Sequence, residues 1–171
     1  MGNKTEEKIE AVATANDCDE LNDMRIEILK RGVMEEIYAL SALQGYVELP
    51  ERERLLLQED QEEGLSVLVN DAFADVVVEL MPHVADIGVP EEDNEGNMWI
   101  EFKEYDSEQK IMSQILSQIL TKGIAYKVLG AIYEGIEEGG NYFSRAKRAV
   151  SGAIELIDQS HISDCRLRGW R

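Results

Sequence analysis

The segment best suited to binding a ligand is the acidic stretch PEEDNEGNMWIEF, residues 90–102. An EF-hand loop places oxygen ligands at its first, third, fifth and seventh positions, glycine at the sixth and a bidentate glutamate at the twelfth. With Gly96 in sixth place, the four odd positions are, in order, Glu91, Asp93, Glu95 and Asn97. The twelfth position is Phe102, so the clamping carboxylate is missing. We predict that this loop binds no calcium and is a turn that leads into a strand.

Histidine and cysteine, which often bind metals or take part in catalysis, are few, and the many acids single out no pair as general acid and base. There are two histidines, His83 and His161, and two cysteines, Cys18 and Cys165. A zinc site needs about four such ligands at close spacing, and a di-metal helical bundle needs paired Glu-x-x-His motifs. The sequence has neither pattern, no glycine-rich phosphate loop and no nucleophile motif. We predict a protein with no catalytic residues, no metal and no cofactor, whose cysteines are free thiols in a reducing compartment.

The acidic residues are concentrated in the middle of the chain. The net charge is −18; residues 51–106 hold 17 acids and 3 bases, whereas residues 107–171 hold 7 acids and 9 bases. Such a surface repels nucleic acid. It is interpreted as a solvated helix face, as the wall of a passage through which DNA slides, or as a mimic of DNA. The residues assigned to a lumen or partner-facing surface are Glu59, Asp60, Glu62, Glu63, Glu91, Glu92, Asp93 and Glu95.

The last eight residues, 164–171, form a basic tail on this acidic chain. Four of them are assigned to subunit docking: Arg166, Arg168, Trp170 and Arg171. Arginine and tryptophan are the residues that most often anchor interfaces, and an acidic neighbouring copy would attract them. The alternative is a solvated, dispensable end.

Hydrophobic periodicity predicts a mainly α fold, a helical bundle with long antiparallel helices and a small two-stranded β-element. Alternating residues predict strands over 84–89 and 97–104, with the acidic turn between them. The helix from about Asp106 to Tyr133 is apolar nearly all round and is expected to be central and buried. A break is expected at Gly139-Gly140-Asn141. The other predicted helices cover residues 5–16, 20–31, 33–46, 51–80 and 142–157.

The chain is long enough for one helical domain over residues 1–163, followed by the basic tail. No run of about 18 apolar residues is present, so no membrane span is expected. The first residues also lack the apolar core of a signal peptide.

Three stretches carry a resemblance to a known family: ELPERERLLLQEDQEEGLSVLVNDAFADVVVEL, MWIEFKEY and ILTKGIAYKVLGAIYEGIEEGGNYFSRAKRAVSGAIELI. Over roughly residues 20–160, the chain is similar to the small neck proteins, or head–tail connectors, of tailed phages, especially those of phages and prophages of Bacteroides-type hosts. The resemblance implies a helical protomer in a ring of about twelve copies, between the portal and the tail, without catalysis.

We therefore expect a structural protein of the virion neck, made in the bacterial host cytoplasm. It would form a homo-oligomeric ring beneath the portal and contact the portal protein and the next neck or tail protein. DNA would pass its acidic surface without specific binding. The alternative is an acidic DNA-mimic inhibitor of the anti-restriction or anti-CRISPR type, which would bind a basic cleft as a monomer or dimer. A helical scaffold in bacterial regulation is a third interpretation.

Overall fold

The fold is mainly helical, as the periodicity predicts, with a small antiparallel sheet. The computed structural model describes residues 24–47, 62–88, 97–103, 110–135 and 137–168. Within these ranges the elements are β1 (Met24–Ile28), α1 (Lys30–Val47), α2 (Glu62–Leu80), a 3-10 turn (Met81–His83), β2 (Val84–Gly88), β3 (Met98–Phe102), α3 (Lys110–Ile132) and α4 (Glu137–Arg168). The predicted helix over residues 5–16 and the acidic loop 89–96 lie outside the described residues.

The sheet has three strands in the order β1-β3-β2, so the prediction of a two-stranded element was wrong. The missing strand is β1, which was predicted as part of a helix over residues 20–31. Its side chains alternate between buried and exposed, and Ile26 lies opposite Ile100 in antiparallel register. Met24, Ile26 and Ile28 therefore share the face that enters the core, which is the period of a strand.

The predicted strands at 84–89 and 97–104 are confirmed as β2 and β3 within the described residues. They pair in antiparallel fashion, with a register shift between Val84 and Asp86. Beyond this bulge, β2 turns out of the core, and Ile87 is partly exposed although it lies opposite the buried Ile100.

Helix α3 is the central element, as predicted. It packs against β1, α1, α2 and α4. Its inward residues are fully buried, and they meet the inner face of the sheet and α2 in one core. Residues that contribute to this core include Ile26, Phe73, Ile100, Phe102, Leu116, Leu120, Ile124, Val128 and Val150.

One stretch, Ile111–Ile132 of α3, is long and apolar enough to span a membrane by length and composition alone, and 44% of its apolar window is buried inside the protein. A central helix of a soluble core has the same composition, because it must be apolar on most of its faces. The absence of a membrane partner stays a prediction.

Helices α3 and α4 form an antiparallel hairpin. Their direction is shown by two contacts: Gly130 lies against Phe143, and Gly123 lies against Val150. The turn lies at residues 133–135, where Gly135 has a positive φ of 91°, a conformation that favours glycine. The predicted break at residues 139–141 was wrong, since these residues lie in the first turns of α4. Gly139 is glycine for a packing reason: its α-carbon lies against the carbonyl groups of Tyr133 and Gly130.

Helix α4 begins earlier and ends later than the predicted span of 142–157. It continues to Arg168, so the first five residues of the basic segment 164–171 extend this helix. The predicted helix over 51–80 is described only from Glu62 onward.

Candidate interaction surfaces

The outer face of α2 combines exposed apolar and acidic side chains. Val67, Ala74, Val78 and Met81 are exposed, and Val78 retains 67% of its accessible surface. Val67, Ala74 and Val78 recur at intervals of seven and four residues, which places them in one line along the helix. Met81 follows three residues later, in the 3-10 turn after α2. Asp71 is exposed and lies in the same line between Val67 and Ala74. We call these five residues the α2 stripe.

Helix α2 is also unbalanced in charge. It contains five acids, Glu62, Glu63, Asp71, Asp75 and Glu79, and no base; the chain has no lysine or arginine from residue 55 to residue 102. One base reaches it from the core: Lys127 of α3 places its Nζ 2.8 Å from Glu79 and 3.5 Å from Asp75. Glu63 and Asp71 have no ion-pair partner among the described residues, so the outer face of α2 stays negative.

The first half of α4 has the opposite character. Residues 139–154 contain Arg145, Lys147 and Arg148 and no acid. Phe143 is 45% exposed, and Lys147 and Arg148 are exposed one helical turn further on. Gly140, Ser144 and Ser151 continue the same exposed line with small side chains. We call the line of Gly140, Phe143, Ser144, Lys147, Arg148 and Ser151 the α4 stripe.

A tyrosine cluster behind this stripe holds α4 on α3. The rings of Tyr126 and Tyr133 stack on Tyr142, with centroid distances of 6.1 and 5.9 Å. The guanidinium of Arg145 lies 5.8 Å from the Tyr142 centroid and 5.9 Å from that of Tyr126, within cation–π range. The Tyr133 hydroxyl shares a buried hydrogen bond of 3.2 Å with Ser41 Oγ on α1. Arg145 is therefore engaged within the protomer, whereas Lys147 points outward.

The outer face of the sheet carries Trp99. The Arg25 guanidinium lies 4.0 Å from the centroid of its ring, and the indole also covers Gly88, where a Cβ would overlap the ring. This contact explains the glycine at the end of β2. It also leaves Arg25 engaged with the indole.

A polar groove of about 590 Å³ runs between β1 and the N-terminal half of α3, with Arg25, Glu27, Ser113, Gln114 and Gln118 among its lining residues. The Ser117 hydroxyl donates a hydrogen bond of 2.9 Å to the main-chain oxygen of Glu27. Helix α3 thereby donates a hydrogen bond to the main chain of β1, which is a strand at the edge of the sheet.

The described residues contain no group of three His, Cys, Asp or Glu side chains able to hold a metal ion. His83 Nε2 lies 3.8 Å from Asp158 Oδ1, beyond hydrogen-bond distance. His161 and Cys165 fall in α4, but their side chains lie outside the described part. The predicted absence of calcium binding and of catalysis stays a prediction, since the 90–96 loop is also outside it.

The sequence-predicted site residues fall into three groups. Glu62 and Glu63 begin α2, and Glu63 is exposed. Arg166 and Arg168 lie in the last turns of α4, where only the backbone is described. The others lie outside the described residues: Glu59, Asp60, Glu91, Glu92, Asp93, Glu95, Trp170 and Arg171. Sequence reasoning did not assign Asp71, Asp75, Glu79 or the α4 stripe, although the 48-residue interval without a base was a visible signal.

No family model, no curated protein and no solved structure matches this chain, so comparison with known proteins assigns no role to these surfaces.

Proposed function

We propose that this protein is a ring-forming structural component of a phage neck, a head-to-tail connector that lies beneath the portal. The observation that carries the proposal is the outer face of α2, where acids and unpartnered apolar residues share one surface. Acids outside the α2 stripe, among them those assigned above to a lumen, would repel DNA over about one Debye length, roughly 8–10 Å at moderate salt. The apolar residues provide area that is worth burying against a neighbouring subunit.

The neighbours in this proposal are further copies of the chain, the portal protein above and the next neck or tail protein below. DNA passes without a specific contact, so no base-reading side chains are required. A connector needs no catalytic residues, in keeping with the sparse set of nucleophiles and metal ligands in the sequence.

The test is native mass spectrometry of the full chain, alone and mixed with the portal protein encoded by the same phage or prophage. We expect either a ring of the free protein or a complex of many copies on one portal ring. A chain that stays monomeric in both samples, at concentrations well above those of the portal, refutes the proposal.

The second candidate is a DNA-mimic inhibitor, and one feature favours it. Asp71, Asp75 and Glu79 succeed one another at intervals of four residues on α2, or about 6 Å along the helix axis. Lys127 pairs with Asp75 and Glu79, but their side chains remain 72% and 40% exposed, so the row is still able to contact a basic cleft built for phosphates. Capture of a DNA-binding enzyme by a monomer, with loss of that enzyme's DNA binding, would favour this candidate over the connector.

The basic end of the chain enters the first proposal as a second docking element. Arg166, Arg168, Trp170 and Arg171 would contact the acidic surface of the next copy. Because α4 runs through Arg168, truncation after Ser163 would also shorten a helix. Replacing Arg166 and Arg168 by glutamine keeps the helix and removes the charge. Assembly with unchanged affinity and salt dependence in this variant would show that these two arginines do not dock.

A further inference from the structure

The two stripes match each other in charge and in shape. The α2 stripe is apolar with Asp71 in its line and lies on a helix with five acids and no base. The α4 stripe has Phe143, Lys147 and Arg148 in a stretch with three bases and no acid. Both stripes therefore offer apolar surface, and they carry charges of opposite sign.

Their dimensions also agree. The α2 stripe extends from residue 67 to residue 81, about 21 Å, and the α4 stripe from residue 140 to residue 151, about 17 Å. Small side chains at Ala74, Gly140, Ser144 and Ser151 allow two helix axes to approach closely. Phe143, whose ring lies against Gly130 on one side and which is 45% exposed, then offers its outer side to the valines of α2.

We propose that the α2 stripe of one copy packs against the α4 stripe of the next copy, with Asp71 facing Lys147 across the contact. The proposal rests on the ring-forming function proposed above and assigns its subunit interface. Two different surfaces of the same chain meet, so the contact is head-to-tail, and it closes into a ring when the rotation per subunit permits.

A single contact of this kind is small. Stable interfaces bury about 800 Å² on each partner, and one pair of helix faces about three to four turns long buries less. Assembly through the stripes is therefore weak for two copies and strengthens when many contacts form together in a closed ring or on a portal. Because part of the contact is charge attraction, assembly becomes weaker as the salt concentration is raised.

The test uses two charge-reversal variants, Asp71→Lys and Lys147→Glu. Each alone places like charges across every contact, and we expect self-association at least about tenfold weaker than that of the wild type. In an equimolar mixture the two variants can alternate. The introduced lysine then meets the introduced glutamate at one contact, and the native Asp71 and Lys147 meet at the next. The mixture should therefore assemble within about threefold of the wild type, whereas neither variant does so alone.

Lys103→Glu is the matched control. It makes the same change in net charge as Lys147→Glu, at an exposed position at the end of β3. Because it keeps both stripes intact, Lys103→Glu alone should assemble like the wild type, whereas Lys147→Glu alone should not. Association is followed by sedimentation velocity of the full chains, or by copy number on the portal in native mass spectra where the free wild type is monomeric. Circular dichroism verifies that each variant is folded.

The outcomes separate this inference from the proposed function. If both single variants assemble like the wild type, if Lys103→Glu weakens assembly as much as Lys147→Glu does, or if the mixture of Asp71→Lys with Lys147→Glu assembles no better than either variant alone, the stripes are not the interface. The ring proposal would then stand with another interface. If the wild type forms no assembly, alone or with portal, the proposed function fails and this inference fails with it.

Discussion

Gly139 and Gly140 are neighbours in the first turn of α4, and the structure predicts opposite effects when each is replaced by alanine. A Cβ at Gly139 would overlap the main-chain carbonyl of Tyr133 and lie 3.2 Å from the Gly130 oxygen. A Cβ at Gly140 would meet nothing within 4 Å. The pair therefore separates the packing effect of a methyl group from its effect on helix propensity.

The gain in helix stability from replacing glycine by alanine is similar at the two positions. Replacing glycine by alanine in a helix stabilises it by roughly 0.5–1 kcal/mol, largely by restricting the unfolded chain. We expect Gly140→Ala to raise the free energy of unfolding by up to that amount. It would shift the melting temperature by about 2–4 °C per kcal/mol for a domain of this size.

The overlap at Gly139 cannot be relieved cheaply, because the obstructing atoms belong to the backbone. The Tyr133 amide donates a 2.9 Å hydrogen bond to Leu129, its hydroxyl is bonded to Ser41, and its ring stacks on Tyr142. Overpacking a site of this kind costs about 1–3 kcal/mol. At the middle of these ranges Gly139→Ala should therefore be destabilised by about 1 kcal/mol after the helix gain. Because the helix gain is common to both variants, its free energy of unfolding should lie about 1–3 kcal/mol below that of Gly140→Ala.

Urea denaturation followed by circular dichroism at 222 nm measures both variants against the wild type. We expect the transition midpoint to fall for Gly139→Ala and to rise for Gly140→Ala, with equal slopes in urea. A Gly139→Ala protein as stable as the wild type would show that the hairpin does not need this close approach. Equal destabilisation of both variants would show that glycine is needed there for another reason.

Three further predictions follow from contacts in the described residues. Lys127→Met should lower the free energy of unfolding by about 0.5–1 kcal/mol at low salt, and by less in 1 M salt, because it removes the cation that two partly exposed acids of α2 share; an equal loss at both salt concentrations would contradict an electrostatic role. Ser41→Ala should cost about 1 kcal/mol in urea denaturation, because it leaves a buried tyrosine hydroxyl without its partner; an unchanged midpoint would show that this bond adds nothing. In a Trp170→Phe background, Gly88→Ala should displace the Trp99 indole from the sheet and increase quenching of its fluorescence by acrylamide; identical quenching in both proteins would argue against the contact.

Much of the fold could be predicted from the sequence, because a long apolar stretch must be buried against other elements. Helix α3 is apolar on most of its faces, and such a helix must be surrounded by other elements. The alternation around Ile100 likewise indicated a strand with one buried face. The excess of acids in residues 51–106 could also be counted directly from the sequence.

The short strand β1 could not be recognised in the same way. Met24 and Ile28 lie four residues apart, a spacing that fits a helix face as well as one face of a strand. Five residues are too few for either period to exclude the other. Pairing with β3 decides the matter, because it gives the backbone of β1 its hydrogen-bond partners and places Ile26 opposite Ile100.

The candidate interaction surface was decided by tertiary structure alone. Val76, Val77 and Val78 are identical in type and consecutive, yet the first two are buried and the third is two-thirds exposed. Apolar residues occur on more than one side of α2, so its sequence indicates a buried helix without indicating which side is left uncovered. The packing of α3, with Lys127 reaching Asp75 and Glu79, determines which side faces the core. Composition thus determined that the protein is acidic, hydrophobic periodicity determined that it is mainly helical, and packing determined which apolar line of α2 is left exposed.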